Sequence, residues 1–333
     1  MTEQLFDAPP RYTYAQAAVA AGMDPDRAVQ LWQSMGLTTP AHSDELFTEV
    51  DVQALRLAGL LTEQWLAFGA DLATARAWAQ AMARLSEWQV DMLRHLAETE
   101  VADHADPADA EASVLDAAAR LLPLLDQLQQ YVWRRHLLAS TDRLITTISR
   151  SGESAPRVVG FADIVGFTDL SRGLTDRRLA EFVEDFEART SAVVTRHRGR
   201  VIKMIGDEIM FEADDPDQAA DIALELAVMR SSLDDRPNLH VGMAYGPVLH
   251  QFGDAFGTVV NLTSRLTSLA RPGSVLADTA LATALADDSR YTVHELRSVA
   301  MRGFDRVRPW LLRSPHHISV NRPTEQPPHP QPN

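Results

Sequence analysis

Two short apolar runs that flank a Gly-Asp turn constrain the fold of this chain more than any other stretch. Residues 200–211 read Arg-Val-Ile-Lys-Met-Ile-Gly-Asp-Glu-Ile-Met-Phe. Apolar runs on either side of a tight turn are typical of a β-hairpin. One arm holds Lys203, which is the only lysine in the 333 residues, since every other Lys or Arg position is an arginine. A single lysine inside a strand indicates a site that needs a compact ammonium group rather than a planar guanidinium.

A carboxylate that precedes a glycine-containing turn is expected close to this hairpin. Residues 161–168 read Phe-Ala-Asp-Ile-Val-Gly-Phe-Thr, so Asp163 lies at the end of a predicted strand, while Asp207 lies at the hairpin turn. Two carboxylates at adjacent strand ends suit divalent cations, because Mg²⁺ binds a few carboxylates together with phosphate oxygens of a substrate. Two such ions about 4 Å apart activate an attacking oxygen and stabilise a leaving one. The alternative without a functional site is that Asp207 is an ordinary turn residue and Lys203 faces solvent.

The second half of the chain alternates between predicted strands and helices. Its order of strand, helix, two strands, helix and strand is the ferredoxin-like βαββαβ arrangement. After Arg313 the sequence is rich in Pro and His, and we expect it to be disordered. The predicted strands cover 157–163, the two arms of 200–212, 239–245, 274–277 and segments between 291 and 312, and the predicted helices lie at about 179–194, 216–233 and 258–270.

The first half is predicted to be entirely helical. After short helical patterns comes a stretch rich in Ala, Leu, Trp and Met at 62–101, which is typical of a buried bundle core and leaves room for a small apolar ligand among the helices. A break at 103–112 follows, and then a long amphipathic helix at 111–149 with Pro123 as a kink. Such a helix suits dimerisation and signal transmission, or simple packing. The short helical patterns cover 14–21, 26–35 and 48–61.

Charge and composition exclude several classes of function. The net charge of −15 disfavours nucleic acid as a partner, because such binding needs a cationic surface. Residues 12–37 resemble the helix-turn-helix start of winged-helix regulators, yet residues 1–60 hold eight acidic side chains against three arginines. The chain has no cysteine, no P-loop and no apolar run of the ~18 residues that a membrane span needs. Without a basic or apolar leader, the expected location is the cytoplasm.

Three separate segments, in order, carry a resemblance to a known family. They are Phe-Ala-Asp-Ile-Val-Gly-Phe-Thr at 161–168, Lys-Met-Ile-Gly-Asp-Glu at 203–208 and Asp-Ala-Phe-Gly-Thr-Val-Val-Asn-Leu-Thr-Ser-Arg at 254–265. Together they resemble the class III nucleotidyl cyclases over residues 157–313. The resemblance implies a ferredoxin-like fold, formation of a cyclic nucleotide and pyrophosphate from a nucleoside triphosphate, and active sites that form at the interface of a head-to-tail dimer.

The resemblance also implies roles for the residues that read the base and hold the metals. Asp163 and Asp207 match the two metal-binding aspartates, which hold two Mg²⁺ or Mn²⁺ ions in each active site. Lys203 and Asp254 match the pair that reads adenine, which implies ATP as the substrate. An ammonium donates to adenine N1 and a carboxylate accepts from the 6-amino group, whereas guanine presents the opposite pattern and leaves polar groups unpaired.

Further matches concern the phosphates and the ribose. Asn261 and Arg265 lie one helical turn apart on one face and match the pair that orients the ribose and stabilises charge on the phosphate. Arg302, in Met-Arg-Gly-Phe at 301–304, corresponds to a basic residue for the β- and γ-phosphates, although Arg297 and Arg306 lie close by. In a homodimer each site would take its metal aspartates from one subunit and the other four motif residues from its partner.

The resemblance extends more loosely to the first half, which is similar to the helical regulatory domain of some actinobacterial cyclases. It implies control of catalytic pairing, with His95, His104 and His136 as candidate pH sensors. Taken together, the expected class is α+β, an all-helical N-terminal domain followed by a ferredoxin-like catalytic domain. The expected boundaries are a regulatory domain at 1–110, a connecting helix and linker at 111–156, a catalytic domain at 157–313 and a tail at 314–333.

Four alternatives to an adenylyl cyclase stay open at this point. A guanylyl cyclase is disfavoured by Lys203 and Asp254. A ligand sensor whose second half only dimerises, or a degenerate and inactive cyclase, is disfavoured by the complete set of metal and transition-state residues. A transcription regulator rests on residues 12–61 and conflicts with their charge.

Overall fold

The protein is described from a computed structural model that covers residues 8–37, 46–64, 70–103, 107–150, 156–230 and 239–315. The chain forms two compact units, divided between Asp142 and Arg143. This division falls inside a long helix, whereas the sequence places boundaries after residues 110 and 156, and those boundaries stay predictions. Among the described residues, no helix combines the length and apolar character needed to cross a lipid bilayer.

The first unit is helical, as the sequence predicts. Thr13 and Gln16 form a capping box at its first helix, and Asp24 caps the second helix ahead of Pro25. A small core joins the first three helices around Phe47, whose ring lies 4.8 Å from that of Trp32. The helices are α1 (Tyr14–Ala21), α2 (Pro25–Ser34), α3 (Glu49–Gln64), α4 (Ala70–Asp103) and α5 (Pro107–Arg150), of which α5 continues into the second unit.

The buried bundle core predicted for 62–101 is wrong for the described part of that stretch. Trp78 and Trp88 on α4 are 59% and 58% exposed, and Met82 is also exposed. The reason is that the core of this unit is built by α1–α3, and only the start of α4, at Leu72 and Ala75, packs against it. Helix α5 likewise exposes apolar side chains, among them Leu124, Leu128, Tyr131, Trp133, Leu137 and Leu138.

The predicted break at 103–112 is shorter than expected, because α5 begins at Pro107. Proline is well tolerated in the first turn of a helix, where its missing N–H has no partner in any case. Pro123 lies inside this helix, as the sequence predicts. The expectation of an apolar ligand among these helices gains no support, since many large apolar residues described on α4 and α5 are exposed.

The second unit is built on a seven-stranded sheet in the order β2-β3-β1-β4-β7-β11-β8. Two further hairpins, β5–β6 and β9–β10, stand beside it. The strands are β1 (Arg157–Ile164), β2 (Arg200–Ile205), β3 (Glu208–Ala213), β4 (Leu239–Gly246), β5 (Leu249–Gln251), β6 (Asp254–Phe256), β7 (Val275–Ala277), β8 (Thr292–Glu295), β9 (Val299–Met301), β10 (Phe304–Val307) and β11 (Trp310–Arg313). The helices are α6 (Phe167–Arg172), α7 (Asp176–Arg196), α8 (Pro216–Val228), α9 (Thr258–Leu269) and α10 (Thr279–Leu285).

The ferredoxin-like arrangement predicted from the sequence is confirmed. In chain order β1, α7, β2, β3, α8 and β4 form the βαββαβ unit, and its four strands lie in the order β2-β3-β1-β4, each antiparallel to its neighbour. The sheet then continues through β7, which runs parallel to β4, to β11 and β8. Helix α8 ends at Val228, before the predicted end at 233, which lies outside the described residues.

Successive side chains of β3 point to opposite faces of the sheet and contribute to two different hydrophobic cores. Ile209 and Phe211 point into the large core with α7 and α8, whereas Met210 joins a second core with α9. Helix α9 lies directly on β4 at Gly242, where an added Cβ would stand 2.2 Å from the backbone nitrogen of Thr267. The lack of a side chain at Gly242 therefore allows α9 to lie close to the sheet, where it carries the predicted site residues.

Candidate active site

Three acidic residues meet where β1 ends and the β2–β3 hairpin turns. Asp163 on β1 pairs in register with Glu208 on β3, and the Ile164 amide donates to the carbonyl oxygen of Asp207 at 3.2 Å. The carboxyl groups of Asp163 and Asp207 are within hydrogen-bonding reach. Burial is the largest cause that raises the pKa of Asp207, and Asp163 adds to it. Burial, then the charges of Asp163 and Asp207, raises the pKa of Glu208 from 4.5 to about 7.

His240 on the neighbouring strand β4 offsets part of this negative charge. Its Nε2 lies 2.9 Å from Asp163 Oδ2 and its Nδ1 lies 3.1 Å from the carbonyl oxygen of Ala270. Both partners are acceptors, so the ring donates from both nitrogens when it is protonated. The hydrogen bond to Asp163 raises the pKa of His240, against the opposing effect of burial. His240 lies outside the three sequence motifs, although a histidine between Leu239 and Val241 in an apolar strand is a visible signal.

The donor set at this position fits divalent cations. Among the residues that the structure describes, no three His, Asp or Glu side chains are arranged as a ready-made metal cage. Mg²⁺ and Mn²⁺ need no such cage, because a few carboxylates and substrate phosphate oxygens suffice. Burial, and then the charge of the neighbouring carboxylates, raises the pKa values of Asp207 and Glu208, so bound cations would stabilise their ionised forms. Asp163 and Asp207 therefore suit the metal-binding role expected of them, and Glu208 adds a carboxylate without an assigned role.

A second pair of predicted residues, Lys203 and Asp254, is in direct contact. Lys203 Nζ lies 2.6 Å from Asp254 Oδ2 and 2.9 Å from Oδ1, and the Ala255 amide donates to Oδ1 at 2.8 Å. Burial acts to raise the pKa of Asp254, but the hydrogen bonds from Lys203 and the Ala255 amide lower it overall. The strand register shifts between Val201 and Lys203, which makes β2 irregular just before the lysine. Such irregularities redirect side chains, and this one could not be predicted from the residues of β2.

The remaining predicted residues are not gathered with these two pairs. Asn261 and Arg265 are exposed on α9, and Arg302 is exposed at the turn of the β9–β10 hairpin, beside Gly303 with φ of +87°. The hydrogen bonds and ion pairs of the described residues join none of the three to Asp163 or to Lys203. The chain by itself thus assembles two halves of a site and leaves a third group facing outward.

The carboxylate cluster predicts a pH-dependent stability. Because the pKa of Glu208 is about 7 in the folded protein against an ordinary value of 4.5, its ionisation destabilises the fold increasingly as pH rises from 4.5 and fully above 7. The raised pKa of His240 acts in the same direction, since its stabilising contribution is complete below 6.5 and is lost at higher pH. We expect the unfolding temperature in EDTA to fall between about pH 5 and pH 8.

Glu208→Gln removes the carboxylate contribution, so its unfolding temperature should fall less over this range than that of the unchanged protein. The measurement is thermal unfolding of both proteins at several pH values. Glu184→Gln removes an exposed carboxylate on α7 and serves as the matched control. Its unfolding temperature should depend on pH in the same way as that of the unchanged protein. Identical pH dependence in Glu208→Gln and the unchanged protein would contradict this assignment.

Comparison with known proteins agrees with the motifs. Residues 153–314 match the family of adenylate and guanylate cyclase catalytic domains. The adenylate cyclase of Streptomyces coelicolor is 41% identical over 280 residues, covering 82% of this chain and 71% of that protein. The adenylate cyclase of Streptomyces griseus is 41% identical over 277 residues, covering 82% and 68%.

A solved structure of the catalytic core of a rhodopsin-guanylyl cyclase with converted specificity is similar at 18% identity and a TM-score of 0.44, covering 48% of this chain and 97% of that chain. The family itself follows from the sequence relatives, which extend beyond the catalytic domain over most of the chain. The chain belongs to the class III nucleotidyl cyclases and is an enzyme of that family.

Proposed function

We propose that this enzyme converts ATP to 3′,5′-cyclic AMP and pyrophosphate. The observation that carries the proposal is the contact between Lys203 and Asp254, which sets an ammonium donor beside a carboxylate acceptor. Adenine offers an acceptor at N1 and a donor at its 6-amino group, which is the complementary pattern. Guanine offers a donor at N1 and an acceptor at O6, so the same pair would leave buried polar groups unsatisfied. The Streptomyces relatives named adenylate cyclase support the same substrate.

In the proposed reaction the ribose 3′-hydroxyl attacks the α-phosphate and pyrophosphate leaves. Asp163 and Asp207 would hold two Mg²⁺ or Mn²⁺ ions, which supply stabilisation of negative charge on the phosphate oxygens when bound. Asn261 orients the ribose, and Arg265 stabilises the charge that develops on the transferred phosphate. The donors on α9 are exposed and a turn apart, as a pair that serves a bound nucleotide requires. Arg302 is the candidate contact for the β- and γ-phosphates.

Nucleotide preference tests this function. With Mn²⁺ or Mg²⁺ the protein should form cyclic AMP from ATP in preference to cyclic GMP from GTP. Lys203→Ala and Asp254→Ala should each lower kcat/KM for ATP by about 5- to 150-fold, because each leaves polar groups of the base unpaired at ~1–3 kcal/mol. Lys203→Arg should not restore the preference, because a planar guanidinium cannot replace a compact ammonium in this position.

Asp305→Ala, an exposed carboxylate of the β9–β10 hairpin, is the matched control and should leave both rates unchanged. The measurement is the rate of each cyclic nucleotide at several substrate concentrations. If the protein forms neither product, the ligand-sensor alternative is favoured. If it prefers GTP to ATP, the assignment of the Lys203–Asp254 pair as the adenine-reading pair is wrong.

We further propose that two chains share each active site. The support is the exposure of Asn261 and Arg265 on α9, which share no hydrogen bond or ion pair with Asp163 or Asp207 among the described contacts. In a symmetric dimer, the metal aspartates of one subunit would face the Asn261, Arg265, Lys203 and Asp254 side chains of its partner. A twofold axis makes such an interface isologous, so each dimer would contain two equivalent sites.

Complementation between inactive variants tests this arrangement. Asp207→Ala and Asn261→Ala should each be inactive, and an equal mixture should recover about a quarter of full activity, since half of the dimers are mixed and each has one intact site. Asp207→Ala mixed with Asp163→Ala is the control and should stay inactive, because both lesions fall on the same side of the interface. Mixed dimers that form but remain inactive would exclude the shared site.

We propose that the helical unit regulates the catalytic unit. The support is that α5 is one continuous helix from Pro107 to Arg150 that ends just before β1 at Arg157, so a change in the first unit has a direct covalent route to the second. That the helical unit senses pH through His95 and His136 stays a prediction. The third candidate, His104, lies outside the described residues.

Deletion tests this regulation. A fragment that begins near residue 151 should differ from the full chain in its rate of cyclic AMP formation and in the pH dependence of that rate. A faster fragment identifies the helical unit as an inhibitor, and an inactive fragment identifies it as a support for the dimer. Equal rates and equal pH profiles would argue against any regulatory role.

A further inference from the structure

A carboxylate buried in the sheet, away from the metal aspartates, is bound by two arginines and a histidine. Glu212 on β3 is only 2% exposed and shares a face of the sheet with Met210. Arg200 Nη2 lies 2.5 Å and His250 Nε2 lies 2.9 Å from its Oε2, and Arg157 Nε lies 3.2 Å from its Oε1. Burial of an unpaired carboxylate is costly, and these partners compensate its charge.

Two of these partners belong to the sheet, and the third does not. Arg157 lies on β1 and Arg200 on β2, the strands on either side of β3. His250 lies on β5, which pairs only with β6 among the described strands and has no backbone pairing with the seven-stranded sheet. Two arginines already offset the charge of Glu212. The histidine therefore adds a link between the sheet and the β5–β6 hairpin.

The hairpin that His250 links to the sheet is the one that carries Asp254. His250 pairs in register with Ala255, the residue after Asp254, and Gln251 pairs with Asp254 itself. The two central residues of the turn, Phe252 and Gly253, have φ of +53° and +81°. Positive φ at both positions is typical of a tight type I′ turn, which couples the two strands closely. A displacement of His250 would thus be transmitted to Asp254.

The two polar links of the hairpin lie on different strands. On β6, Asp254 binds Lys203, and on β5, His250 binds Glu212. A left-handed conformation at Phe252, a bulky residue exposed at the tip, costs free energy and persists only where the surroundings fix the chain. Both ends of the hairpin are therefore held in place while its tip is strained.

We infer that His250 is a positioning residue for base recognition: its hydrogen bond to Glu212 holds the β5–β6 hairpin so that Asp254 keeps the geometry that distinguishes adenine from guanine. This inference rests on the proposed function, in which Lys203 and Asp254 read the base. Recognition through hydrogen bonds requires the partners to stay within about 0.5 Å of the productive geometry. Loss of the link would leave the metal aspartates in place and loosen only the base pocket.

The test compares His250→Ala, His250→Gln and the unchanged full chain. For each protein kcat and KM are measured with ATP, and GTP is measured both as a substrate and as a competitor of ATP. We expect His250→Ala to raise KM for ATP more than it lowers kcat and to reduce the ATP:GTP ratio of kcat/KM by about tenfold. His250→Gln should recover most of the preference, because its amide can donate to Glu212 as the imidazole does.

His294→Ala provides the matched control, because His294 is exposed on β8 and contacts neither the hairpin nor Glu212 among the described contacts. Hydrogen exchange of residues 249–256 supplies a readout that does not depend on turnover. It should become faster in His250→Ala, while exchange in β1 stays unchanged.

Each contrary outcome has its own meaning. An unchanged ATP:GTP ratio in His250→Ala, with the unchanged chain preferring ATP, overturns the inference and leaves the proposed function intact. A parallel loss for both nucleotides with faster exchange throughout the catalytic unit assigns His250 to the support of the fold and also overturns it. A lack of ATP preference in the unchanged chain overturns the proposed function itself.

Discussion

The carboxylates at the end of β1 are the constraint on which the rest of the catalytic unit depends. Asp163 lies on a central strand, so its neighbours β3 and β4 determine what surrounds it, and they contribute Glu208 and His240 in direct register. Burial and mutual repulsion raise the pKa values of Asp207 and Glu208, and a single imidazolium offsets only part of the charge. Apolar side chains or paired charges at this position would make the folded state more stable, because a set of like charges opposes folding. The unfavourable arrangement makes sense where cations and phosphates complete it.

Two groups of ionic contacts in this unit have different physical roles. Lys203 and Asp254 retain 38% and 31% of their side-chain exposure, so their ion pair contributes little to stability. An arginine would suffice for a simple surface pair, yet this chain uses its only lysine there, which favours recognition as the role of the pair. Glu212 is buried, and the loss of a partner from a buried charge is far more costly than from an exposed one. In the proposed function the Lys203–Asp254 pair would exchange partners with a base, while the buried Glu212 cluster would hold the strands around it.

Much of the catalytic unit could be predicted from local sequence. The hairpin at 200–211 follows from two apolar runs and a Gly-Asp turn, and the βαββαβ order follows from alternating periodicities. The pairs Asp163–Asp207 and Lys203–Asp254 followed from the resemblance of three motifs, and each pair is in contact. His240 and the partners of Glu212 were missed, because a contact between residues 77 or 38 positions apart leaves no periodic signal. The charged residue within the apolar run of β3 was the one visible sign of the Glu212 cluster.

The helical unit shows where periodicity misleads. A stretch rich in Leu, Trp and Met predicts burial, because apolar area removed from water stabilises a fold at ~25 cal/mol per Å². That argument identifies which side chains favour burial and says nothing about what covers them. Trp78, Trp88 and Trp133 remain exposed in the single chain, together with a row of leucines on α5. Apolar surface of this extent is typical of protein–protein contact. Asn261 and Arg265 are exposed on the catalytic half as well, which is in keeping with the shared active site proposed above, in which a second copy would cover them.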